Sequence, residues 1–118
     1  PGKAIYPDGD YCWDVLRPMF ETYKVDAVNF GHSHVYERYL INGVNYIEAA
    51  SIGNNYRSSN DPYHPSGNIP VVEENHFRSI MLVNVSEEGM TARGLQASVE
   101  DNGIGYIGRE FDSFTIAK

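Results

Sequence analysis

Two histidines separated by one residue, in Gly31-His32-Ser33-His34, are the side chains of this sequence best suited to chemistry. In extended backbone, residues at i and i+2 project to the same side. Both imidazoles could then meet one metal ion or two adjacent ones. Neutral imidazole suits Zn, Fe, Mn, Co or Ni. Gly31 permits a tight turn and a close backbone approach to an ion. A bare His-x-His pair is a weak signal, and here the context sharpens it. A short β-prone run, Val25–Phe30, leads into the pair, and Tyr36-Glu37-Arg38 follows it. Glu37 and Arg38 are candidates either for an ion pair that braces the loop or for groups behind the metal ligands. Tyr36 could line a cleft or pack.

The elements that must position this loop follow from periodicity. From Tyr11 to Lys24, apolar residues at Cys12, Val15, Leu16, Met19, Phe20 and Tyr23 recur at helical spacing and predict one apolar helix face. Pro18 should kink this helix or split it in two. Val25–Phe30, bounded by Gly31, reads as a strand. Helix, strand and glycine-led polar loop form the grammar of an α/β unit, in which ligands gather beyond the carboxyl ends of strands. Asn42-Gly43 between two β-prone runs, 38–41 and 44–48, predicts a tight hairpin. The stretch 49–75, rich in Gly, Ser, Asn and Pro, reads as a long loop, and loops of this length in a compact domain are functional, mobile or both. It carries Asn54, Tyr56 and Arg57, candidates for substrate contact, because an arginine offers a fork to phosphate oxygens. Its His64, and His76 after it, more commonly read as surface or hydrogen-bonded histidines. Residues 77–85 and 90–99 predict a second hairpin, and Glu110–Ala117 a last strand.

Composition narrows the classes. With 118 residues, 42% hydrophobic and 21% charged, the chain has a globular balance. The formal net charge of -7 argues against a nucleic-acid binder, whose affinity rests on Lys and Arg meeting phosphates. It leaves a phosphate-ester substrate open, since a bound cation supplies local positive charge. Cys12 is the single cysteine, which excludes an intrachain disulfide and a cysteine-built zinc site, and it reads as a core residue. No apolar run approaches the roughly 18–20 residues that a membrane-spanning helix needs.

The stretch from Val25 through Gly31-His32-Ser33-His34 to Tyr36-Glu37-Arg38 is similar to the final motif block of purple acid phosphatases and related calcineurin-like metallophosphoesterases. That block runs strand, Gly-His-x-His, then Tyr-Glu-Arg. The resemblance is tight over residues 25–38 and loose over most of the rest. It implies an α+β fold, the C-terminal portion of a four-layer α/β/β/α sandwich with one or two helices and mostly antiparallel strands. It also implies hydrolysis of phosphate esters at a dinuclear centre of divalent or trivalent ions such as Fe, Zn or Mn. His32 would bind one ion and His34 the other, and the pair would activate water for in-line attack.

The sequence departs from the family where the other ligands belong. The family's Asp block, Gly-Asp block, Gly-Asn-His block and lone histidine ahead of the helix are missing. Gly9-Asp10 and Gly53-Asn54-Asn55 imitate two of them at the wrong places. Residues 1–118 are therefore expected to form an incomplete domain, inactive alone and without bound metal, whose longer parent is the enzyme. Two other readings compete. A non-catalytic binding or assembly module could use the same fold remnant, and half a sandwich would favour self-association through unpaired sheet edges. A metallo-β-lactamase-type zinc hydrolase needs Asp and His at positions 36 and 37, where this chain has Tyr36 and Glu37, and is discarded.

Overall fold

Among the described residues, hydrophobic alternation and turn chemistry build seven strands, and helical periodicity builds one short helical segment. The computed structural model describes residues 12–31, 34–49, 70–74, 76–99, 103 and 105–118, with the side chains of Cys12 and Trp13 outside that set. A π-helical turn, Cys12–Leu16, runs into helix α1, Arg17–Thr22. Pro18 sits in the first turn of α1, where its missing N–H leaves no hydrogen bond unmade. The predicted helix is thus split at its proline. Its apolar face also divides. Leu16 and Phe20 are half-buried, while Val15, Met19 and Tyr23 are exposed.

Strands β1 (Ala27–Phe30), β2 (Tyr36–Ile41), β3 (Val44–Glu48) and β4 (Val72–Glu74) form a mixed sheet in the order β1-β3-β2-β4. β1 pairs parallel to β3, and β2 pairs antiparallel to both β3 and β4. The β2–β3 turn is the predicted Asn42-Gly43, with φ of 50° and 85°; positive φ at both positions is what a two-residue hairpin of matching twist requires. β4 was not foreseen, lying within the stretch read as loop. All five residues of β3 are buried, as befits a central strand covered on both faces.

Strands β5 (Ser79–Ser86), β6 (Gly89–Gln96) and β7 (Glu110–Ala117) form an antiparallel sheet in that order. A bulge at Gly94/Leu95 pairs Asp112 with Gly94 and Glu110 with Leu95, leaving Phe111 as the extra residue. The bulge turns Phe111 into the same core as Asp112 and Phe114. Its ring occupies the space a side chain at Gly94 would need, since a Cβ there would lie 2.9 Å from Phe111 Cζ.

The two sheets pack face to face. Tyr36 and Ile47 of the mixed sheet meet Met81, Phe111 and Phe114 of the other. On the opposite face of the mixed sheet, Tyr39, Val44 and Tyr46 pack with Phe20 and Val28. The expected four-layer α/β/β/α sandwich is not what forms. The described residues are mostly strand, in two sheets, with helix confined to residues 12–22, and they include no helical layer outside the three-stranded sheet. The β-prone runs that dominate after residue 25 account for this, as they leave no helical periodicity to build such a layer.

Gly89 closes the β5–β6 turn at φ 137°, and a Cβ there would lie 2.1 Å from the carbonyl oxygen of Ile116. Backbone cannot withdraw as a flexible side chain can. Gly89→Ala should therefore lower unfolding free energy by about 2 kcal/mol or more, read from urea denaturation midpoints. Gly43→Ala has open space around its Cβ and should cost less, although its φ is also positive.

Candidate functional site

The topology places the Gly31–Val35 loop. β1 and β2 flank β3, so the loop that joins them must cross the carboxyl end of β3. β1 and β3 are the parallel pair, so the loop lies where ligands collect in sheets of this kind. His34 is half-buried and adopts φ 66°, a left-handed conformation uncommon outside glycine. The extended backbone assumed for the His-x-His pair therefore does not hold at His34, and strand alternation does not fix where its imidazole points. His32 and Ser33 lie outside the described residues, as do Asn54, Tyr56, Arg57 and His64. His76 is exposed.

β2 divides the motif residues between its two faces. Tyr36 and Arg38 point toward the three-stranded sheet, where both engage Asp112 of β7. The Arg38 guanidinium forms a fork on the carboxylate, Nε to Oδ2 at 2.7 Å and Nη2 to Oδ1 at 2.8 Å. The Tyr36 hydroxyl donates to Oδ2 at 2.8 Å. Nη1 of Arg38 reaches Asn45 Oδ1 at 3.4 Å, and the guanidinium lies 4.7 Å over the Phe114 ring. Tyr36 also meets Phe111 edge-on at 4.8 Å. Arg38 and Asp112 are 7% and 6% exposed, so this cluster is a buried pin between sheets rather than a substrate clamp. Arg38 makes its ion pair with Asp112, 74 residues away in the sequence.

Burial works against ionisation of Asp112. The hydrogen bonds from Arg38 and Tyr36 outweigh it and hold the carboxyl below its ordinary range. Burial and the bond to Asp112 push the Tyr36 phenol up, and the same carboxylate holds the Arg38 proton more firmly. Asp112 escaped the sequence reading. A signal existed: it falls in phase with Phe114 and Ile116 on the inward side of the last strand, where a lone carboxylate demands a buried partner.

The other face of β2 carries Glu37 and Tyr39. The Tyr39 hydroxyl donates to Glu37 Oε2 at 2.7 Å. Glu37 stands directly opposite Glu48 of β3 and Glu73 of β4, so three carboxylates cross three adjacent strands beside the histidine loop. Burial, the bond to Glu37, and the negative charges of Glu37, Glu73 and Glu48 together push the Tyr39 phenol up. His34, Glu37, Glu48 and Glu73 all have partners. Among the described residues, no group of three or more His, Cys, Asp or Glu is arranged to hold a metal ion. The described donors therefore do not by themselves fit a dinuclear centre.

Removing one partner of the buried pin should be far more damaging than removing both. Asp112→Ala leaves Arg38 uncompensated and should cost about 3–5 kcal/mol of stability, whereas a paired Arg38→Leu, Asp112→Leu replacement should recover much of that loss. The double-mutant cycle in urea checks this. The pH dependence has a definite sign. Because the folded carboxyl is held below its unfolded value, its contribution is complete above about pH 4 and disappears as pH falls through the lowered value. Acid unfolding of the native chain should lose this contribution below about pH 4, and Asp112→Asn should flatten that limb.

No family model matches the chain, and no curated protein matches it. A comparison with solved structures finds a similar chain whose structure is titled "GAP50 the anchor in the inner membrane complex of Plasmodium". The TM-score is 0.70 at 14% identity, over 92% of this chain and 30% of that one. At this identity the likeness shows a shared fold over the matched stretch and says nothing of activity. The chain spans under a third of the length of the protein it matches.

Proposed function

We propose that this chain is the histidine-bearing part of a metal-dependent phosphoesterase, contributing His32 and His34 to a metal centre whose other ligands it does not supply. The observation that carries the reading is the placement of His34. It sits in a left-handed conformation on the loop that crosses the carboxyl end of β3, at the end of a parallel strand pair. Strained backbone of this kind gathers at ligand sites, because it persists only where the surroundings over-determine it. The loop is also the Gly-His-x-His of the block that residues 25–38 resemble. Tyr36 and Arg38 support the loop from below by fixing β2 against the second sheet, and Glu37 anchors Tyr39 on the other side. The substrate class on this reading is a phosphate ester, and the 118 residues alone lack turnover.

A second reading is favoured by a different observation. The matched solved protein is titled an anchor in a membrane complex, and the buried Tyr36–Arg38–Asp112 cluster serves cohesion without touching a substrate. On this reading the chain is a non-catalytic assembly module.

Metal titration separates the two. Equilibrium dialysis against Zn or Mn should show weak binding by the 118-residue chain, lowered about 10- to 100-fold by His32→Ala or His34→Ala. The chain should not hydrolyse p-nitrophenyl phosphate with any of these ions. In a longer polypeptide carrying this segment, His34→Ala should reduce metal-dependent kcat/KM by a similar factor or more. Hydrolysis indifferent to His34→Ala, or metal binding unchanged in both variants, would sink the phosphoesterase reading. A longer polypeptide with no hydrolysis at all would favour the assembly module.

A further inference from the structure

Asn84-Val85-Ser86, near the end of β5, serves neither the histidine loop nor the buried pin, and no other Asn-x-Ser or Asn-x-Thr occurs in the 118 residues. Asn-x-Ser, with x other than proline, is the acceptor pattern for an N-linked sugar chain. The tripeptide arises readily by chance, so the pattern alone is a weak signal. A usable acceptor must also stand where a bulky polar group displaces no packing. Asn84 does so. It is exposed, as are Val85 and Ser86, and it lies just before the turn at Glu87-Glu88. Val83 pairs with the buried Ala92, so strand alternation turns Asn84 to the opposite, outer face of the three-stranded sheet. On that face Asn84 stands in one row with Thr91 and Thr115, next to the row of Leu82, Arg93 and Ser113. All six are exposed and five of them are polar, which is the composition of a face that meets water.

We propose that Asn84 is a modification site and carries an N-linked glycan, attached in the lumen of a secretory compartment. The co-substrate is an oligosaccharide held on a polyprenyl diphosphate. The Asn84 Nδ2 forms a bond to the anomeric carbon of the first sugar, and the bond from that carbon to the diphosphate oxygen breaks. The lipid diphosphate leaves with the electron pair, and the proton lost from Nδ2 passes to solvent. Nothing is oxidised or reduced. The Ser86 hydroxyl is the recognition group of the tripeptide. In the folded chain it accepts a hydrogen bond from the Glu88 N–H at 3.2 Å, at an exposed turn. A depression of about 280 Å³ begins at Asn84 and Ser86 and is lined further by Glu88, Thr91 and Thr115. Its hydroxyls and carboxylate give the first sugar polar partners beside the attachment point. The glycan also stands over Leu82, which shares the outer face and is 52% exposed. This site does not depend on the histidine chemistry. The sheet between Asn84 and the inner core separates it from the Arg38–Asp112 pin.

Mass spectrometry of the protein purified from its own cells tests the proposal without a variant. Trypsin releases residues 79–93 as one peptide that holds Asn84. Treatment with peptide N-glycosidase in heavy-oxygen water should remove a sugar chain and leave a labelled aspartate at position 84. Expression of the chain through a eukaryotic secretory pathway gives the second arm. Asn84→Gln and Ser86→Ala should each abolish the modification, while Ser86→Thr, which keeps the hydroxyl, should retain it. Because Asn84 points away from the core, the glycosylated and enzymatically deglycosylated chains should unfold at the same urea midpoint. An unlabelled Asn84 in the native protein overturns the proposal. So do a glycan that survives Ser86→Ala, and a glycosylated chain that unfolds at lower urea than its deglycosylated form.

Discussion

The Asp112 carboxylate is the point at which the two sheets are joined by more than apolar contact. A buried charge is tolerated only when its lone pairs are met and an opposite charge stands close. Here Arg38 supplies a two-bond fork and Tyr36 a third hydrogen bond. All three residues stand on strands that depend on one another for register. A slip of one position in β2 would turn Tyr36 and Arg38 away from β7 and bring Glu37 to face Asp112. The cluster therefore specifies the register of β2 and the inward face of β7 together. The aromatic contacts around it, Phe111 against Tyr36 and Phe114 under Arg38, complete the same contact with apolar area.

That constraint explains how the motif residues are shared out. In a strand, neighbours point to opposite faces, so Tyr36 and Arg38 cannot serve the same side as Glu37. The first two hold the sheets together. Glu37 lies on the helix-facing side with Tyr39, opposite Glu48 and Glu73, at the end where the histidine loop crosses β3. The acidic row and the strained His34 thus belong to one end of one sheet, while the cohesive cluster belongs to the interface. Cohesion and candidate chemistry are separated by the thickness of a single strand.

The parallel pairing of β1 with β3 gives the loop its position. Because the hairpin β2–β3 folds back beside β1, five residues must pass over the end of a buried strand. Gly31 leads the crossing, and His34 takes a left-handed conformation within it. The three-stranded sheet plays no part in that geometry beyond fixing β2.

Local chemistry is what the sequence determined by itself. Asn42-Gly43 set the β2–β3 turn, Pro18 set the break between the π-helical turn and α1, and period-two alternation set β5, β6 and β7, since each rests on neighbours in the chain. The Gly-His-x-His motif was legible as a candidate for the same reason. Non-local partners decided the rest. β4 was hidden in a polar stretch because three residues carry too little periodicity to be seen without the strand they pair with. Arg38 finds its carboxylate 74 residues along, because only the packing of two sheets brings β7 under β2. The four-layer sandwich suggested by fourteen matching residues gave way to a helical segment and two sheets. A motif of that length fixes a loop and its flanking strands, whereas layers are fixed by which faces the whole chain must bury.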